Sequence, residues 1–166
     1  MKLMTKLVLA MLVAGFVGLG TPKANAGPTD AITVTVTLSE ILSVDVQPGA
    51  WAIGAIALNG TNTLTSCTAT NDGNVAETFT INGANGAGAW ANGAAIGADQ
   101  FMLKASIDSG ASWSIAVLNG GNVLKTPVAA GAGLPFQLQY SAPSSDTKGG
   151  GVAQGFSVTV TASKAP

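Results

Sequence analysis

Ile32-Thr33-Val34-Thr35-Val36-Thr37-Leu38-Ser39-Glu40-Ile41-Leu42-Ser43-Val44-Asp45-Val46 decides how this chain folds. Ile32, Val34, Val36 and Leu38 alternate with three threonines. Successive side chains on a strand point to opposite faces, so this pattern gives one apolar face and one hydroxyl face. Leu42, Val44 and Val46 keep the same parity, with Ser43 and Asp45 opposite. Ser39 and Glu40 interrupt the run, which predicts a bend or bulge between two strand segments.

The residues ahead of this stretch read as an export signal. Lys2 and Lys6 form a positive start, residues 7–19 are apolar and uncharged, and Ala24-Asn25-Ala26 is a small-x-small cleavage signature. The apolar run is short for a transmembrane helix, and no stop-transfer pattern follows. Residues 1–26 are thus expected to be a signal peptide and residues 27–166 a single secreted domain, with no membrane association after cleavage.

The domain downstream carries four lysines against eight carboxylates, with no arginine and no histidine. Nucleic-acid binding needs a basic stripe, and there is none. Without histidine, Ser-His and Cys-His catalysis are excluded, and zinc sites are poor with one cysteine. The carboxylates are scattered and several sit in turns, where Asp serves the local backbone. No catalytic residue, cofactor or metal ligand is therefore expected, although the Asp72 and Asp108 turns offer oxygen ligands to calcium. Cys67 cannot form an internal disulfide. Its parity with Thr65 and Ala69 predicts a buried, inert thiol.

The same strand pattern recurs along the chain. Residues 64–69 read as a strand, and Thr70-Asn71-Asp72-Gly73-Asn74 as a hairpin turn. Val75, Phe79 and Ile81 share the next face, with Glu77 as its odd member. Residues 51–58 are a weak strand or an irregular crossing. Residues 82–98 form a Gly-rich loop with Trp90 pinning it. Phe101, Leu103, Ala105 and Ile107 make another face, and Trp113, Ile115 and Val117 the returning strand. Val123 and Leu124 form a short edge piece, followed by a loop from Pro127 to Gly133. Leu134, Phe136, Leu138 and Tyr140 alternate cleanly. Phe156, Val158, Val160 and Ala162 close the domain. Eight or nine short strands without a helical period predict an all-β fold, a single antiparallel β-sandwich of Ig-like or jelly-roll type.

Ser106-Ile107-Asp108-Ser109-Gly110-Ala111-Ser112-Trp113 resembles the Asp-box, a hairpin of sialidases and other secreted β proteins. The resemblance implies a structural turn: Asp108 ties down backbone, Gly110 takes the special dihedral, and Trp113 packs beneath. It does not imply a sialidase site, because no arginine is present to hold a carboxylate. Residues 70–81, TNDGNVAETFTI, and residues 155–163, GFSVTVTAS, are similar to surface-associated β-sandwich domains of bacterial and archaeal exported proteins. With a strand directly behind the cleavage site, the chain also resembles TasA-like fibre subunits. That likeness implies a non-enzymatic extracellular or cell-surface role as a filament or surface-layer subunit. It further implies a homopolymer joined by donor-strand exchange through Ile32, Val34, Val36 and Leu38. The alternative is a binding module or adhesin that grips carbohydrate or protein, with Trp51, Trp90 and Tyr140 as stacking residues.

Overall fold

The computed structural model describes Thr29 and residues 31–85, 90–148 and 151–166. The signal peptide and its cleavage site, read over residues 1–26, lie outside the described residues. Two units are distinguished, Met1–Thr37 and Leu38–Pro166. In the first, the described residues contain no strand, and Ile32, Val34 and Val36 are 93%, 77% and 74% exposed. This corrects the expectation of a strand over residues 32–38. A strand exists only where a neighbour completes its ladder. Of the opening stretch, only the last three residues, Val44 to Val46, find one.

The second unit is built from β1 (Val44–Gln47), β2 (Thr61–Asn71), β3 (Glu77–Ala84), β4 (Ala91–Asn92), β5 (Gln100–Ser106), β6 (Ile115–Ala116), β7 (Asn122–Val128), β8 (Gly133–Ser141) and β9 (Ser157–Lys164). No helix occurs among the described residues. One sheet has six strands in the order β1-β2-β8-β5-β4, with β6 also on β5; the other runs β7-β3-β9. Among the described residues, all pairings between strands are antiparallel except β4 with β5, a two-residue parallel contact that departs from the expected wholly antiparallel fold; an isolated bridge of Ala98 with Ser145 is parallel as well.

Both sheets contribute to one core. Phe79, Ile81 and Leu124 come from the three-stranded sheet, and Cys67, Leu103, Phe136 and Leu138 from the six-stranded one. Phe79 and Ile81 are fully buried, and burial of each such side chain contributes about 1.5–3 kcal/mol. Phe101, Tyr140 and Phe156 stack at one side of the core, with ring centroids 4.8–5.6 Å apart.

Several local readings are corrected. Residues 70–74 do not close a hairpin, because β2 and β3 belong to different sheets. The turn carries the chain across, and Gly73 is absent from the positive-φ residues. The ladder of β2 with β8 shifts register between Leu64 and Cys67, so Leu64 and Cys67 both face inward and Thr65 is exposed. β5 ends at Ser106, leaving Ile107 41% exposed in the turn rather than on the core face. β7 is longer than a two-residue edge piece and runs through Pro127, which an edge strand tolerates because it needs no outward N–H. β3 extends to Ala84 and β4 lies within the stretch read as loop.

Candidate functional site

Leu38, the last of the four alternating apolar residues, is 83% exposed. No residue from 32 to 38 has a ladder partner. Immediately after it the chain is held by side chains of the β2–β3 turn. Asn74 Nδ2 donates to the Ser39 carbonyl at 2.9 Å, and the Ile41 N–H donates to Asn74 Oδ1 at 2.8 Å. The Asn74 N–H donates to the Ile41 carbonyl at 3.1 Å. The Ser43 N–H donates to Glu77 Oε1 at 2.8 Å, and the Asp72 N–H to the Ser43 carbonyl at 2.9 Å. Glu40 forms an ion pair with Lys164 at the end of β9.

Glu77 and Asn71 make this clip possible, and both are fully buried. Asn71 Nδ2 donates to the Val75 and Val128 carbonyls, each at 2.9 Å, and its Oδ1 accepts the Gly73 N–H at 2.9 Å. Glu77 Oε2 has no hydrogen-bond partner. A side chain at position 73 would run into the Ile41 carbonyl and Glu77 Oε1, so glycine is required there for close approach. The sequence offered one signal for the clip: a carboxylate on an otherwise apolar face.

The Asp108 turn joins β5 to β6 in an antiparallel pair. Asp108 Oδ1 accepts from the Ser106 hydroxyl at 2.5 Å and the Ser112 N–H at 3.0 Å; Oδ2 accepts from the Ser112 hydroxyl at 2.6 Å. Ser106, then Ser112, hold its carboxyl down at about 2, well below the ordinary 3.8. Gly110 has φ +84°, and a Cβ there would meet Gln137 Oε1 at 2.8 Å and the Trp113 ring at 3.5 Å. All three carboxylate contacts are local to the turn.

Two of the three aromatic candidates meet at one cavity, and the third lies elsewhere. Trp51 lines a groove with Leu64 and Cys67, whereas Trp90 and Tyr140 line a separate cavity with Ile53 and Val152. Trp90 Nε1 donates to Asp146 Oδ1 at 3.2 Å. Tyr140 is buried against Phe101 and Phe156, and burial pushes its hydroxyl up to about 12. Phe156 lies parallel against one face of its ring.

Asp99, which the sequence did not single out, fastens the loop after β4 to the loop after β8. Its carboxylate accepts from the Thr147 hydroxyl, the Thr147 N–H at 2.7 Å and the Lys148 N–H at 3.2 Å. The Thr147 bonds are the main reason its pKa is lowered. Among the described residues, no three of Asp, Glu or Cys gather as a metal-binding set. Cys67 is buried, and burial raises its thiol pKa.

Comparison of the chain with protein-family models, with characterised proteins and with solved structures finds no match.

Proposed function

We propose that this chain is an exported, non-enzymatic structural subunit, a β-sandwich that assembles head to tail into an extracellular filament or surface layer. The joint is donation of residues 32–38 to a neighbouring copy. One observation carries this reading: Ile32, Val34, Val36 and Leu38 share a parity suited to a buried strand face, yet all are at least 74% exposed and unpaired. Such a stripe gains by adding to a sheet edge, where backbone bonds give affinity and alternate side chains fill pockets. A head-to-tail contact that does not close generates a fibre. The low charge supports the reading, since 9% charged residues leave little repulsion between packed copies.

The rival reading is a binding module for carbohydrate or protein. The cavity shared by Trp90 and Tyr140 supports it; the place of Trp51 in a separate groove and the packing of Tyr140 against Phe156 weigh against it. Size-exclusion chromatography and negative-stain microscopy of the secreted protein test the assembly reading. Polymers are expected, as is their loss on deleting residues 29–38. A chain that remains monomeric at high concentration would refute assembly.

A further inference from the structure

We infer that the free edge of β9 is the acceptor, taking residues 32–38 of a second copy as a fourth strand of the three-stranded sheet. This rests on the assembly reading and specifies its other half. β9 has one neighbour, β3, so its second flank carries unpaired backbone groups. Facing it, β1 pairs only with Thr68–Asn71 of β2, which leaves the outer flank of residues 61–67 unpaired as well. Between the two flanks lies a groove of about 260 Å³, lined by Trp51, Leu64, Cys67, Phe136, Val158 and Val160 among others. Its lining residues include no charge, and residues 32–38 have none.

The groove has the mark of an uncovered core. Phe79 and Ile81 on β3 are completely buried, but Val158, Val160 and Ala162 on the adjoining strand are only half-buried. What they lack is a neighbour on the free side. The proposed strand supplies one with matching texture. Side chains two residues apart on any strand repeat at about 6.6–6.8 Å, so Ile32, Val34, Val36 and Leu38 share the pitch of Val158, Val160 and Ala162. Thr33, Thr35 and Thr37 then fall beside Thr159 and Thr161 on the exposed face, where cross-strand threonine pairs are favourable.

The other edges are guarded. Lysine, proline and brevity are the usual devices against strand addition. β7 carries Lys125 and Pro127; β1 is four residues long, carries Asp45 and is followed by Pro48; β4 has two residues. From Ser157 to Ser163, β9 has no charge and no proline. The unpaired flank of residues 61–67 is also uncharged, but the register shift between Leu64 and Cys67 breaks it, and bulges are a further device against strand addition.

Two full-length variants test the pairing. Val34→Asp with Val36→Asp disables the donor; Val158→Asp with Val160→Asp disables the acceptor. Each alone is expected to be monomeric, and an equimolar mixture to form a one-to-one dimer from the two intact halves. Hydrogen exchange on wild-type polymer, against the donor variant as monomer, is expected to show new protection in residues 157–161. That measurement decides the matter even if the acceptor variant fails to fold. A wild-type chain that never polymerises overturns the assembly reading itself. Assembly that needs Val34 and Val36, but persists in a folded acceptor variant or leaves residues 157–161 unprotected, overturns only the acceptor. Protection already present in wild-type monomer, with no concentration dependence, means insertion within one chain and also overturns it.

Discussion

If residues 32–38 are a donated strand, alanine substitutions along them should alternate in effect. Val34→Ala and Val36→Ala each remove two methyl groups from the face that becomes buried. At about 0.8 kcal/mol per carbon, each loses ~1.6 kcal/mol of association energy. Since 1.4 kcal/mol is a factor of ten, the critical concentration for assembly should rise about tenfold. Ile32→Ala and Leu38→Ala remove three carbons each, ~2.4 kcal/mol, which corresponds to roughly fiftyfold. Thr33→Ala, Thr35→Ala and Thr37→Ala act on the solvent face and should change it by less than about threefold, in keeping with substitutions on an exposed surface.

The exposure of these side chains makes the test clean. With 74–93% of each apolar side chain already in water, truncation removes little from the isolated chain. The melting temperature of the monomer should therefore stay put while assembly weakens. Pelleting or light scattering across a dilution series gives the critical concentration, and a thermal melt of dilute protein gives the control. Equal effects at apolar and threonine positions would refute the donated-strand geometry. Melting temperatures that fall in step with assembly would show that these side chains are packed in the monomer.

Four further outcomes are expected. Gly110→Val should lower the melting temperature by combining an unfavourable φ with a collision at Gln137. Asp108→Asn should cost stability above about pH 4 and progressively less as pH falls toward 2: the folded carboxyl is held below its ordinary value, so its contribution exists above the unfolded pKa and is lost on protonation. Melts of wild type and variant that stay the same distance apart from pH 7 to about pH 2 would contradict this. Cys67 should resist thiol reagents until denaturant is added; rapid labelling of native protein would mean its burial is not maintained. Glu77→Ala should destabilise by roughly 1–3 kcal/mol in denaturant titrations, since it leaves the Ser43 N–H without its acceptor.

Period-two alternation was enough to find the faces of β5, β8 and β9, because each strand lies with one side on the core. It could not say which sheet a strand joins. The turn after β2 has the chemistry of a hairpin, but the Asn71 amide is spent on the Val75 and Val128 carbonyls, and the next strand pairs with β7 and β9. Parity also fails wherever a strand bulges, and the slip between Leu64 and Cys67 moved Thr65 to the outside. Glu77 was visible as an anomaly and nothing more. Its purpose depends on Ser43, 34 residues away, and no local pattern encodes that distance.

The opening stretch shows the same limit in its strongest form. Alternation states that a segment is suited to a sheet edge; it does not state whose. Val44–Gln47 and residues 32–38 carry the same signal, yet the first pairs with β2 and the second pairs with nothing. The difference lies in the five residues between them. Asn74, Asp72 and Glu77 take up backbone groups of Ser39, Ile41 and Ser43. A segment whose outward-reaching backbone bonds alternate with bonds to the Asn74 and Glu77 side chains presents no regular ladder for the preceding residues to extend, because ladder bonds propagate from pair to pair. On the assembly proposal, the strand chemistry upstream of this clip finds its edge in another copy. β9, uncharged from Ser157 to Ser163 and with half-covered valines, is the edge proposed to receive it.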